Sequence, residues 1–117
     1  MKADRDNGYY LEQIIEHCNR IADFTKRFSG NVETLENDYA YSQCVLMSII
    51  QIGENARKLD EDLREKYNGV NWHEIIGARN KVTHEYDGVD YEIVWNMIEH
   101  DIPLLKKYCE KILADKC

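Results

Sequence analysis

Apolar residues recur along this chain at intervals of three and four, the period of an α-helix, and nowhere alternate with polar ones long enough to predict a strand. The first stripe, Leu11, Ile14, Ile15, Cys18, Ile21, Ala22 and Phe28, predicts an amphipathic helix with Asp6 or Asn7 as its cap. SGNVETLEND, with Gly30 and two asparagines, interrupts the period and reads as a loop or a short helical turn. A second helix begins near Asp38 and carries Tyr41, Val45, Ile49, Ile52, Ala56 and Leu59. Leu46 and Ile50 make it apolar around much of its circumference, so it is either central or covered by a partner. LDEDLREKYNGVN closes this part, with Asn68-Gly69 as a turn and Asn71 as the cap of a third helix that carries Trp72, Ile75 and Ile76 inward. The last helix follows Asp90 and shows Trp95, Ile98, Ile102, Leu105, Cys109 and Ile112 at helical spacing. Pro103 should kink it, because the ring clashes with the carbonyl of residue 99, which also loses its donor.

Four helices with mostly short connections predict an all-α antiparallel bundle in one domain over residues 1–117, without internal repeats. A chain of this length buries about two-thirds of the surface its unfolded form exposes, so a core of its own is within reach. The breadth of the apolar surface on the second helix points to a homodimer; the alternative is that helices one and four cover it alone. With 44% hydrophobic residues, one Pro and six Gly the composition is globular. No apolar run approaches the roughly 18 residues that a membrane span needs, and MKADRDNGYYLEQ lacks the apolar centre of a secretory signal, so the chain is expected in the cytoplasm. Cys18, Cys44, Cys109 and Cys117 have no CxxC or CxxH spacing and read as reduced thiols, mostly in the core, rather than as zinc ligands. A net charge of −7 argues against broad affinity for nucleic acid, which draws on a basic surface, so any RNA contact must be local.

The candidate chemistry is concentrated in RNKVTHEY, residues 79 to 86, which brings a guanidinium, a carboxamide, an imidazole and a phenol to the end of the third helix. Arg79 is cationic at any physiological pH and can grip a phosphate with two donors, while His84 titrates near neutrality. Together they meet the needs of RNA cleavage by the ribose 2′-hydroxyl: one group moves a proton, the other stabilises charge on the phosphorus oxygens, and no metal is called for. Asn80 and His84, four apart, share a helix face, but Arg79 and His84 stand roughly 140° apart. They converge only through Arg79's reach, local unwinding or a second subunit. On the second helix Gln51, Glu54, Asn55 and Lys58 form another polar set at spacings of three and four. Spacing favours a solvated face; the alternative is that it lines a cleft holding Arg79, with Glu54 pairing with the guanidinium or with His84. His17, His73 and His100 each lie beside acidic residues, as on helix surfaces, and none forms HxxxH or HExxH spacing. No GxxxxGK[ST] or GxGxxG loop is present to cradle a phosphate.

RNKVTHEY, with the flanks QIGENARKL, YNGVNWHEIIGARN and GVDYEIVWNMIEHDIPLL, resembles the HepT-like branch of the HEPN superfamily and its Arg-x4-His-x-Tyr motif. The resemblance covers roughly residues 8 to 113, and the Ile-Gly-Glu stretch, the Trp before the motif, the motif, and the late Trp and Pro all stand in the family's order. It implies a four- to five-helix bundle of HEPN type that dimerises so that two motifs face one cleft. It also implies a metal-independent endoribonuclease that serves as the toxin of a toxin-antitoxin pair. In that family the motif's Arg and His, here Arg79 and His84, are the catalytic pair. The motif's Tyr, here Tyr86, accepts AMP from a nucleotidyltransferase antitoxin of the MntA type. Asn80 and Glu54 are then supporting residues, and neither a metal nor a cofactor is implied. From a different class stands a noncatalytic helical module that binds a nucleotidyltransferase or a nucleotide through Arg79. A third reading is a structural dimer whose motif is fortuitous.

Overall fold

The computed structural model describes residues 6–84 and 88–116, and every regular element among them is helical. Four long helices, α1 (Asn7–Arg27), α3 (Tyr39–Lys58), α5 (Trp72–His84) and α7 (Ile102–Lys116), alternate with three short ones, α2 (Val32–Asn37), α4 (Glu61–Lys66) and α6 (Tyr91–Asn96). Each long helix of the first three starts where a short polar side chain can take up an unpaired backbone N–H. Asp6 accepts from Tyr9 N at 3.0 Å, Asp38 from Tyr41 N at 3.1 Å and Asn71 from Glu74 N at 3.0 Å. Asp90 does the same for α6 through Glu92 N.

α1 packs against α3 and α7, and α3 packs against α5. Leu11, Ile14, Cys18 and Ile21 are buried along α1, and Ile15 and Phe28 are partly so, whereas Ala22 lies at the edge of the stripe and is exposed. Each such Leu or Ile contributes about 1.5–3 kcal/mol by leaving water. α3 is buried on nearly all sides, through Tyr41, Val45, Leu46, Ile49, Ile52 and Ala56, with Met47 exposed. The closest cover comes from α1, α5 and α2. α5, by contrast, packs chiefly against α3, with Trp72 beside Tyr108 of α7, and Ile75 and Ile76 are part-buried rather than sealed inward.

Pro103 acts one turn earlier than a kink at its own position suggests. Met97–Asp101 forms a π-helical turn between α6 and α7, closed by Ile102 N–H bonding to Met97 O. A proline ring crowds the preceding turn and supplies no N–H, and the wider turn takes up the resulting change of register. The thiols of Cys18 and Cys109 are buried in the core, and Cys44 is part-buried; Cys117 lies outside the described residues. Burial pushes the Cys18 thiol up to about 12 and Cys109 higher as well, which keeps both protonated and unreactive. His17, expected on a helix surface, is buried in α1, with Nδ1 unpartnered among the described residues and its pKa lowered, first by burial and then by Arg20. Its spacing puts it on the flank of the Leu11–Ile14–Ile21 stripe, where an acidic sequence neighbour says nothing about what lies across. No helix among the described residues is long and apolar enough to cross a membrane.

Candidate active site

The site is built where α3 and α5 pass closest. Gly53 is buried on α3, and a Cβ there would overlap the Cβ of Arg79, with Arg79 Cγ 3.0 Å and Ile75 O 3.3 Å away. Only a residue without a side chain lets α5 approach this near. The approach sets the next residue, Glu54, beside Arg79: Arg79 Nη2 stands 2.7 Å from Glu54 Oε2. The other carboxylate oxygen, Oε1, accepts from Arg57 Nη2 at 2.9 Å. Arg79 Nη1 donates to Asn80 Oδ1 at 2.8 Å, so the guanidinium is held from two directions while its side chain remains 28% exposed. Arg79 Nε is buried and has no hydrogen-bond partner among the described residues.

The polar set on α3 is therefore not a solvated face. Glu54 is 22% exposed and occupied by two arginines, Gln51 is part-buried, Asn55 is buried with its amide donating to Gln51 O at 2.8 Å, and Lys58 alone of the four is exposed. Arg57's hydrogen bond, more than any other influence, holds the Glu54 carboxyl below its usual range; burial opposes it, and the charges of Arg57, Arg79 and Lys58 add to the lowering. Because the folded carboxyl is the stronger acid, the network's contribution is complete above the ordinary value of 4.5 and lost as pH falls through the lowered one. Glu54→Gln is thus expected to be less stable than the parent near neutrality, with the gap closing on acidification below 4.5. Urea midpoints of the two proteins across that range check it, and a gap that stays constant with pH contradicts it.

α5 remains helical through His84, which keeps Arg79 and His84 on different faces. His84 is exposed, and its side chain makes no hydrogen bond or ion pair to any described residue. Gly77, Lys81 and His84, at spacings of four and three, form one stripe. Gly77 and Lys81 line an open trough of about 1000 Å³ floored by Ile49 and Ile52 of α3 and walled by α5 on one side and by Ile93, Leu104 and Tyr108 on the other. Arg79 faces α3 and His84 continues the trough side. The C-terminal end of a helix repels anions, so a phosphate here depends on cations such as Arg79 and Lys81. Tyr86 lies outside the described residues. Among the described residues no three His, Cys, Asp or Glu side chains are grouped as metal ligands would be.

The structure brings Arg79, Asn80 and Glu54 together. It does not bring His84 to them within one chain. Sequence reasoning missed Gly53, whose signal was a lone glycine inside an apolar helix, and Arg57, three residues beyond Glu54 and thus on its face.

The model of the ribonuclease HepT-like family matches residues 9–112. A Methanocaldococcus jannaschii protein named "Putative RNase MJ1216" is 38% identical over 111 residues, covering 95% of this chain and 90% of that protein. "Probable ribonuclease HepT" of Thermococcus cleftensis is 31% identical over 108 residues, covering 92% and 96%. No solved structure matches. With the family model spanning nearly all of it, the chain belongs to the ribonuclease HepT-like family.

Proposed function

We propose that this chain is a metal-independent endoribonuclease, the toxin of a toxin-antitoxin pair acting in the cytoplasm, built as a single HEPN-type bundle that works as a homodimer. The observation that carries the reading is a part-exposed guanidinium, fixed by Glu54 at 2.7 Å and Asn80 at 2.8 Å, a little over one helical turn from an exposed imidazole that bonds to none of the described residues. His84 takes the proton of a ribose 2′-hydroxyl as that oxygen attacks the adjoining phosphorus. The bond from phosphorus to the 5′ oxygen breaks, and the leaving oxygen is protonated by the partner's His84. Arg79 meets the negative charge that builds on the non-bridging oxygens, and because Glu54 and Asn80 hold its fork in place, little reorganisation is needed as that charge develops. The products are a 2′,3′-cyclic phosphate and a free 5′-hydroxyl. A nucleotidyltransferase antitoxin of the MntA type silences the toxin by transferring AMP to Tyr86. The added bulk and negative charge, two residues beyond His84, then compete with the RNA phosphate.

The dimer is supported by the trough. Ile93 and Leu104, 55% and 64% exposed, flank an apolar channel that the chain leaves open, Gly77 and Lys81 line its wall, and His84 follows them on the same helix stripe. A second copy seated there meets the His84 side of α5 and brings the two His84 imidazoles toward one cleft, which Arg79 enters by its reach around α5. Leu104→Glu places a charge in this face and is expected to give a folded monomer that has lost RNA cleavage. Light scattering and cleavage of a single-stranded RNA test both claims. A parent that cleaves no RNA refutes the ribonuclease, whereas a monomeric Leu104→Glu of full activity refutes only the shared cleft.

A further inference from the structure

We infer that Arg57 is a second anchor for the RNA backbone, positioning the strand beside the phosphate that Arg79 holds. The inference rests on the ribonuclease reading and adds to it a residue outside the motif. Arg57 stands in the last turn of α3 with its side chain 57% exposed, and one carboxylate bridges it to Arg79: Glu54 Oε1 lies 2.9 Å from Arg57 Nη2 and Oε2 lies 2.7 Å from Arg79 Nη2. Two guanidiniums sharing a single carboxylate leave a net positive charge, and the shared carboxylate keeps them close enough for both to meet one extended strand. Arg57 has five N–H donors, and among the described residues only the bond to Glu54 engages them. The Arg57 end of the pair faces solvent while Glu54 keeps Arg79 as a second partner, so Arg57 can turn from the carboxylate to a phosphate without leaving Glu54 unpaired.

Neighbouring cations are placed elsewhere. Lys58 Nζ lies over the Tyr10 ring, 5.9 Å from its centre, and Lys81 lines the trough on the far side of α5. In a chain of net charge −7, affinity for RNA depends on a few cations gathered at the site, and Arg57 is the one joined directly to Arg79's own partner.

Each phosphate contact to a single strand contributes about 0.7 to the slope of log affinity against log salt concentration. The test measures binding of a mixed-sequence single-stranded RNA oligonucleotide across a salt series, in a His84→Ala background that leaves the RNA intact. Adding Arg57→Gln is expected to weaken binding to all sequences alike and to make the slope shallower by about 0.7 per site. Adding Arg57→Lys, which retains the charge, keeps the slope. A role confined to bracing Glu54 would slow cleavage and leave the slope unmoved. RNA binding with an unchanged slope in Arg57→Gln therefore overturns the inference and spares the ribonuclease. Absence of RNA binding by the His84→Ala protein together with absence of cleavage by the parent overturns both.

Discussion

His84→Ala is expected to lower RNA cleavage about 10²–10⁴-fold, the range that a positioned proton-transfer group contributes. Folding is untouched, because the imidazole is exposed and bonds to no described residue. Arg79→Ala is expected to cost about 10²–10³-fold, comparable to removing one preorganised donor from a developing oxyanion. Arg79→Lys should recover little of this. An ammonium keeps the charge but cannot bridge Glu54 and Asn80 with two separate nitrogens, so it reaches the phosphate unbraced. Initial rates on a single-stranded RNA, with thermal melts to show equal folding, check these values. A His84→Ala protein that folds and cleaves at the parental rate removes His84 from the mechanism.

Gly53→Ala carries the second large effect, and it joins stability to activity. Alanine gains about 1 kcal/mol over glycine in a helix interior, so on propensity alone the change stabilises. The new methyl, however, overlaps the Cβ of Arg79 and crowds the carbonyl of Ile75, and neither is the free end of a flexible chain. α3 and α5 must separate, and overpacking of this kind costs typically about 1–3 kcal/mol. The balance is a net loss of about 1 kcal/mol. Any separation also stretches the pair between Glu54 and Arg79, so cleavage falls more than stability does. Denaturant midpoints read beside initial rates test it. A stabilised Gly53→Ala of full activity would mean that the helices do not pass as closely as Arg79's placement requires.

Much of this fold is legible in the sequence, because each long helix carries its own signals. Asp6, Asp38, Asn71 and Asp90 are short side chains placed just before apolar stripes, and all four accept a backbone N–H at a helix start. What periodicity conveys is which residues share a face. It does not say what lies opposite. Glu54 and Asn55 look like solvent-facing polar positions until α5 is laid across them, and His17 looks exposed until its flank is seen to turn into the core. Pro103 announces a disruption, but only the competition between ring and backbone decides that it takes the form of a π turn at Met97–Asp101. The candidate site divides in the same way. Arg79, Asn80 and His84 stand out as a motif, whereas Gly53 and Arg57 gain meaning only from the contact between two helices distant in sequence.

The most direct test of the account is cleavage of total cellular RNA in EDTA by the protein made in a cell-free system, with intact mass showing that it carries no modification. Cleavage that yields 2′,3′-cyclic phosphate ends, and is lost in His84→Ala, is the predicted result. Intact RNA after incubation with stoichiometric, unmodified, folded protein would contradict it.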